Sequence, residues 1–420
     1  MKWPNWQDLR NKNMLTIQLL LMQVLAAITA FLINIFSAAV MDPEGRGYLA
    51  LLIQITYVLT VLALMGIERP FAAARSVSFF PSLYELHRLI SPSYVLLVIM
   101  ALASVFLYFY ESGSLALSCA LVLFFLAGNM ASRLVRTGYI VSGSIKPFMY
   151  ISVLTQMVLF AMAVVLYFLK TDKPEIWFLA YGCSGLVAAA SVIFAVARRR
   201  NAGHRRSEER AIRRHGFRLL PASFGNTAML RSDRLLLPFL ASNTQLGIYV
   251  VIATTMELAS WPVQNWVDAS LNRWRNDHES GGSTRARAVL TAVAITSILA
   301  TAMGILSYIL VEYCLSDLYA ESLRLIIPLG LATIVYSVTR VQQGLLIADG
   351  RTHSVSIAEV VGMLVSVGAY FVLIPPLGAM GAALGSVIGY SLCLVACALL
   401  LRRSSRDRRV MSADRIDIGR

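Results

Sequence analysis

Three charged residues, Arg231, Asp233 and Arg234, stand in the middle of an apolar stretch of the 420-residue chain. Met229 and Leu230 precede them, and residues 235–237 are all leucine. An arginine at the centre of a bilayer costs about 2.5–3.5 kcal/mol on translocon scales, so such residues usually face a cavity or a charged partner. If this stretch crosses a membrane, it predicts a polar site within the bilayer.

The arginines are candidates to supply positive charge to a cavity. Arg231 and Arg234 are three positions apart and share one face of a helix, whereas Asp233 lies on a different face. Arg340, in a polar stripe on a later apolar run, is a third candidate cation. The alternatives are that Arg234 only pairs with Asp233 and that Arg340 extends to the inner membrane surface.

Two carboxylates are candidates for coupling transport to an ion gradient: Glu257 and Asp233. A carboxyl group withdrawn from water binds a proton more readily, and charged residues within spans often mark ion pathways. The alternative is that Glu257 balances the charge of a nearby arginine. Because no nucleotide-binding lysine motif or clustered catalytic set accompanies these residues, we expect no catalytic residue, cofactor or metal.

The composition indicates a membrane protein. The chain is 57% hydrophobic and 14% charged, with a mean hydropathy of +0.67, whereas soluble domains have roughly 25% charged residues. A soluble chain of this length would need several cores with almost no polar surface to cover them. The composition therefore favours repeated crossing of a bilayer.

Apolar runs of about 20 residues, long enough to span a bilayer as a helix, recur along the chain. They lie at 14–38, 48–66, 92–110, 114–132, 148–169, 176–197, 219–240, 246–265, 288–311, 323–346, 354–375 and 380–401. The predicted fold is therefore an all-α polytopic membrane protein with about 12 transmembrane helices. The predicted parts are an N-terminal six-helix half (1–197), a basic linker (198–218), a C-terminal six-helix half (219–401) and a basic tail (402–420).

Lysine and arginine are distributed unevenly between the two sides of this topology. With the N-terminus in the cytoplasm, the outer loops hold only Arg46, Lys170 and Lys173, while most of the others fall in inner segments. Cytoplasmic loops are usually rich in these residues, so both termini are predicted to be cytoplasmic. The net charge of +14 then reflects topology, and no nucleic-acid binding is expected.

A weak internal repeat has an offset of about 200 residues. Gly47, in the turn after the first span, matches Gly247 after the seventh, and Asn34 then matches Arg234. Two six-helix halves related in this way predict a central cavity between them, as in transporters that work by alternating access.

Three motifs resemble those of the polysaccharide flippases, the O-antigen and exopolysaccharide branch of the multidrug/oligosaccharidyl-lipid/polysaccharide exporter superfamily. The motifs are Arg231-x-Asp233-Arg234-Leu235-Leu236-Leu237 leading to Leu246-Gly247-Ile248-Tyr249, Asp42-Pro43-Glu44-Gly45-Arg46-Gly47, and Ile374-Pro375-Pro376-Leu377-Gly378-Ala379-Met380-Gly381-Ala382-Ala383. The resemblance implies transport of undecaprenyl-diphosphate-linked oligosaccharides across the bacterial inner membrane without ATP hydrolysis. It also implies membrane lipids, a polysaccharide polymerase and chain-length proteins as partners, and a proton or sodium ion as the coupling ion.

Two other functions remain open on the sequence. An ion-coupled antiporter exporting small cationic or amphiphilic compounds would share the architecture, although arginines in the cavity would repel cations. A membrane glycan polymerase or acyltransferase would need clustered catalytic residues and usually a large outer loop. The predicted outer loops are all short, so an enzyme is not expected.

Overall fold

The computed structural model describes residues 25–74, 78–110, 113–143, 145–198, 206–276 and 282–417. These residues form α-helices and one 3₁₀ helix, with no strand among them. Residues 14–24 of the first predicted span, part of the predicted linker and the end of the predicted tail lie outside the described residues. The α-helices are α1 (Leu25–Val40), α2 (Pro43–Ala63), α3 (Glu68–Ala74), α4 (Phe79–Leu89), α5 (Ser93–Tyr110), α6 (Gly113–Ser142), α7 (Ile145–Phe168), α8 (Pro174–Ala197), α9 (Arg206–Leu240), α10 (Asn243–Asn276), α11 (Gly282–Cys314), α12 (Ile326–Ala348), α13 (Thr352–Leu377) and α14 (Ala379–Asp417), and the 3₁₀ helix is Asp317–Leu325.

Most of the predicted spans are long apolar helices. Among the described residues, nine helices are long and apolar enough to cross a membrane, and the pair α4 and α5, bent by 62°, adds a tenth. The shorter α1 covers the described part of the first predicted span, and α9 carries the three charged residues of the seventh. The chain is therefore an all-α, multi-pass membrane protein, as predicted.

The chain divides into two compact units at Phe224–Gly225, inside α9. Residues 206–218, which the sequence predicts as part of a linker, form the beginning of α9. This helix continues without interruption into the predicted seventh span. The arginine-rich segment and the site residues Arg231 and Arg234 therefore belong to one helix.

The beginning of α9 is held within the N-terminal unit by Arg213. Its guanidinium donates from Nε to the Leu89 carbonyl (3.0 Å) and from Nη2 to the Arg88 carbonyl (2.9 Å), at the end of α4. The last carbonyl groups of a helix have no hydrogen-bond donor within the helix. A cation near them also interacts favourably with the negative end of the helix dipole. Close by, Gly216 leaves no room for a side chain, since an added Cβ would lie 2.8 Å from the Met65 carbonyl oxygen.

Replacing Arg213 with methionine removes both of these bonds while keeping an apolar stem. We expect the free energy of unfolding to fall by about 1–3 kcal/mol, the range for hydrogen bonds to a charged group. Thermal unfolding of the purified protein in detergent measures this loss. Arg214→Met is the matched control, because Arg214 is exposed on the same helix. Equal melting temperatures for the two variants would contradict the assigned role of Arg213.

The two units begin their second helices in the same way. Asp42 accepts a hydrogen bond at Oδ1 from the Gly45 backbone N–H (2.8 Å), and Ser242 accepts one at Oγ from that of Gln245 (3.2 Å). Both residues are N-caps, which satisfy backbone donors that the first helical turn leaves unpaired. The sequence offset of these caps is that of the internal repeat, so the repeat is present in local structure as well as in sequence.

Each unit has its own apolar core. In the N-terminal unit, helices α2, α4, α6 and α8 bury Leu83, Leu86 and Leu126 among other residues. In the C-terminal unit, α9, α10, α12 and α14 pack around Met229 and Val341. Met229 comes just before Arg231 in α9, so this core fixes the part of the helix that carries the charged residues.

Candidate functional site

Arg231 and Arg234 of α9 converge on one carboxylate, that of Glu257 in α10. Arg231 Nη2 lies 2.9 Å from Glu257 Oε1, and Arg231 Nη1 lies 3.3 Å from Oε2. Arg234 Nη2 lies 2.9 Å from Oε2. Both carboxylate oxygens therefore accept charge-assisted hydrogen bonds, and the two guanidinium groups bind one anion together.

The three side chains differ in burial. Arg234 is only 7% exposed, whereas Arg231 is 21% and Glu257 30% exposed. One side of the cluster is therefore accessible, and the opposite side is fixed by the protein. A binding site for a soluble anion needs both properties, since the anion must be able to enter and then find rigid donors.

Asp233 lies in a separate set of contacts. It is 4% exposed, and its Oδ2 accepts a hydrogen bond from the Tyr249 hydroxyl at 2.6 Å. Its Oδ1 accepts from the backbone N–H of Arg234 at 2.8 Å. The guanidinium of Arg234 binds Glu257, so the alternative that Arg234 only pairs with Asp233 does not describe the structure.

Replacing Tyr249 with phenylalanine removes the hydroxyl donor to Asp233 and leaves the packing nearly unchanged. We expect the unfolding free energy to fall by about 1–2 kcal/mol, because the buried carboxylate keeps fewer donors. Thermal unfolding in detergent tests this, with Tyr308→Phe as the control at an exposed tyrosine. If both variants melt at the temperature of the wild type, the bond does not stabilise the unit.

The polar stripe predicted along α10 forms a chain of hydrogen bonds. Ser260 Oγ donates to the Glu257 carbonyl (2.8 Å), and Gln264 Nε2 donates to Ser260 Oγ (2.7 Å). Pro262 lies inside this helix, where it removes one backbone donor. The stripe continues the accessible face of Glu257 along α10 with uncharged polar groups.

Arg340 of α12 does not join this cluster directly. Its Nη1 donates to Gln343 Oε1 at 3.1 Å, and its Nη2 lies 3.9 Å from Asp268 Oδ1. Arg340 therefore has polar partners of its own in α10 and α12.

The formal charges of Arg231, Arg234, Glu257 and Asp233 cancel. In this state the cluster has no excess positive charge to attract an anion. Neutralising or displacing Glu257 leaves two guanidinium groups facing the accessible side. The arrangement can thus change between a closed internal ion pair and an open anion site through one side chain.

The N-terminal unit contains a buried pair that the sequence did not predict. Arg46, which the sequence predicts in an outer loop, is in the first turn of α2 and is only 5% exposed. Its Nη2 donates to Asn34 Oδ1 of α1 at 2.6 Å. The assignment of Arg46 to a loop was therefore wrong, because the N-cap at Asp42 begins α2 before this residue.

Comparison with models of protein families finds no match. No curated protein sequence matches either. Solved structures match over almost the whole chain. An inward-facing multidrug resistance MATE family transporter of the MOP superfamily has a TM-score of 0.66 at 13% identity, covering 91% of this chain and 96% of that chain.

Two further structures match in the same way. The lipid II flippase MurJ, in an inward closed conformation, has a TM-score of 0.65 at 13% identity, covering 93% of this chain and 87% of that chain. An outward-facing MATE family transporter has a TM-score of 0.61 at 15% identity, covering 94% and 96%. The chain has the fold of these transporters. Because a flippase and multidrug transporters share that fold, the fold alone does not identify the function of this chain.

Proposed function

We propose that the protein is a flippase that moves polyprenyl-diphosphate-linked oligosaccharide repeat units across the bacterial inner membrane by alternating access, for surface polysaccharide biosynthesis. The observation that supports this proposal is the convergence of Arg231 and Arg234 on Glu257. A diphosphate presents oxygens that paired guanidinium groups bind, and its charge cannot cross hydrocarbon without such partners. The reaction needs no covalent step, so the proposed protein is a transporter and not an enzyme.

In this mechanism Glu257 binds the two arginines while no substrate is bound. Its two oxygens occupy the positions in which phosphate oxygens would accept bonds from Arg231 and Arg234. Substrate binding displaces Glu257, and an unpaired carboxylate in a membrane is costly, so the displaced group takes up a proton or another cation. Glu257 is thus the proposed coupling residue. Asp233 is the second coupling candidate, and Arg340 supplies charge beside the site.

The proposed membrane orientation and partners follow from the distribution of charged residues and from the resemblance to polysaccharide flippases. Both termini face the cytoplasm, since the basic residues concentrate in the segments assigned to that side. The substrate is the undecaprenyl-diphosphate-linked form of the repeat unit, surrounded by membrane lipids. A polysaccharide polymerase and chain-length proteins then act on the translocated product.

Pyrophosphate binding tests the anion site directly. In purified full-length protein, Glu257→Gln removes the competing carboxylate, so we expect its Kd for inorganic pyrophosphate to be lower by about tenfold, or 1.4 kcal/mol. The melting temperature should then rise more with pyrophosphate in this variant than in the wild type. Glu312→Gln, at an exposed carboxylate, is the control. If pyrophosphate stabilises neither wild type nor Glu257→Gln, the arginine pair is not an anion site.

The second candidate is an ion-coupled antiporter that exports small cationic or amphiphilic compounds. The observation that favours it is Asp233, a buried carboxylate of the kind that binds a cation in a low-dielectric site. Binding of a lipophilic cationic dye separates the two functions. An antiporter binds the dye and loses it in Asp233→Asn, whereas the proposed flippase binds pyrophosphate and loses it when the two arginines are replaced.

A further inference from the structure

The N-terminal unit contains a polar cavity of its own, with a volume of about 230 Å³. Residues of α2, α6, α7 and α8 line it, including the aromatic side chains of Tyr57, Phe125 and Tyr181. Its volume is below the roughly 300–1,000 Å³ of pockets that hold drug-sized ligands. The cavity therefore suits a small molecule or one part of a larger substrate.

The close packing of α6 on α8 forms one side of this cavity. A Cβ added to Gly128 would lie 2.8 Å from the Gly185 Cα, and both glycines line the cavity. Such contacts between small residues let two helices approach closely in a membrane. The position of the cavity is therefore set by backbone contacts, which are more rigid than a group of flexible side chains.

The polar groups in the cavity carry no formal charge. Among the described residues that line it, the polar side chains belong to Asn, Gln, Ser, Thr and Tyr, and none is Asp, Glu, Lys or Arg. A cationic ligand would call for a carboxylate, and a phosphate for a guanidinium or ammonium group. The lining favours a ligand that is polar and uncharged at the point of contact.

Three of the hydroxyl groups are oriented to accept hydrogen bonds. Ser132, Thr155 and Ser184 each donate to a main-chain carbonyl of their own helix, at 3.0, 2.8 and 2.8 Å. A hydroxyl that donates in this way keeps lone pairs for accepting. A ligand with several O–H donors matches this surface, and its apolar C–H faces match the aromatic rings.

A second cavity in the same unit has an apolar lining. It has a volume of about 270 Å³ and is lined mostly by apolar residues of α4, α5, α6 and α8, such as Met130, Leu134 and Val192. The two cavities share α6 and α8 but use different faces of these helices. The polar lining of the first is therefore a local property of one face, within helices that must otherwise suit a bilayer.

We propose that the polar cavity binds an uncharged, hydroxyl-rich ligand. Resting on the proposed function, this ligand is a sugar unit of the lipid-linked oligosaccharide. The cavity then contributes to glycan selection. Thr155 and Gln156 of α7, which line the cavity, are the proposed sugar contacts.

The test uses full-length protein in nanodiscs and two probes that separate the two sites. The first is the phosphate-free oligosaccharide pool released by mild acid from the polyprenyl-linked lipids of the source cells, labelled at the reducing end. The second is inorganic pyrophosphate. Thr155→Val with Gln156→Leu removes two polar groups from the cavity at nearly constant volume. Ser104→Ala with Ser191→Ala is the control, because these hydroxyls also donate to helix carbonyls and neither residue lines the cavity.

The cavity variant is expected to bind the oligosaccharide about tenfold more weakly, in keeping with the loss of two hydrogen bonds. Its pyrophosphate binding and its melting temperature should match those of the control. Equal oligosaccharide binding by the cavity variant and the control, or no binding by the wild type, overturns the sugar-site proposal. Pyrophosphate binding tests the arginine site separately. Failure of the sugar-site proposal is therefore distinguishable from failure of the proposed function.

Discussion

Replacing both Arg231 and Arg234 with glutamine is expected to abolish export of surface polysaccharide in a strain that depends on this protein. The double variant loses every guanidinium that binds Glu257 in the described structure. It also leaves that partly buried carboxylate without its two partners, which destabilises the protein because the remaining charge is uncompensated. We therefore expect low protein levels as well as lost export, with lipid-linked repeat units accumulating in the cells.

A triple variant separates these two effects. Adding Glu257→Gln to the double variant removes the carboxylate that would otherwise lose both of its partners, while Asp233 keeps its hydrogen bonds from Tyr249 and from the backbone N–H of position 234. The protein should therefore accumulate to nearly the wild-type level. Export should still fail, because no guanidinium remains to bind the diphosphate. Arg324→Gln, at an exposed arginine, is the control and should export normally. If the triple variant restores the polymer, the two arginines have only a structural role.

The second large effect is expected at Gly381, in the first turn of α14. A Cβ at this position would lie 2.1 Å from the Leu373 carbonyl oxygen and 2.4 Å from its carbonyl carbon. Both atoms belong to the backbone, so no rotamer change relieves the clash. Overpacking of a core usually costs 1–3 kcal/mol, and we expect Gly381→Ala to lie at or above about 3 kcal/mol.

Gly368 of α13 provides the matched control for Gly381→Ala. A Cβ added there has no neighbour within 4 Å, and alanine favours a helix over glycine by about 1 kcal/mol. Gly368→Ala should therefore melt at or above the wild-type temperature in detergent, while Gly381→Ala melts well below it. A Gly381→Ala protein as stable as the control would contradict this expectation, because the Leu373 backbone would then be able to move away from position 381.

Some of the contacts follow from the sequence through simple helix-hairpin geometry. Asp233 and Tyr249 lie at nearly equal distances from the short turn between α9 and α10. In an antiparallel helix pair, such residues lie at the same height. Applying this rule to the predicted spans would have identified this bond, but only if the cap at Ser242 had been placed first.

The Glu257 cluster could be predicted only in part. Periodicity places Arg231 and Arg234 on one face of α9, and the charge within an apolar run predicts a partner. Glu257 lies farther from the turn than either arginine, so the pairing depends on the long arginine side chains reaching along the helices. Which of several carboxylates they bind depends on tertiary packing, which the sequence pattern does not contain.

The sequence pattern does not predict that α9 is one continuous helix. The arginine-rich segment and Gly216 are typical of a loop between two halves. The contacts that hold this segment as a helix are the bonds of Arg213 to the end of α4 and the close backbone contact at Gly216. Both depend on residues more than a hundred positions away in the chain, so local propensity could not predict them.

The most direct test of the proposed function is a flipping assay with purified protein in liposomes. Polyprenyl-diphosphate-linked repeat units are placed in the membrane, and the fraction of glycan exposed on each face is followed with an enzyme that cannot enter the vesicle. The wild-type protein should equilibrate the glycolipid across the bilayer, and the triple variant should not. Transport of a cationic dye without any movement of the glycolipid would contradict the flippase and support the antiporter.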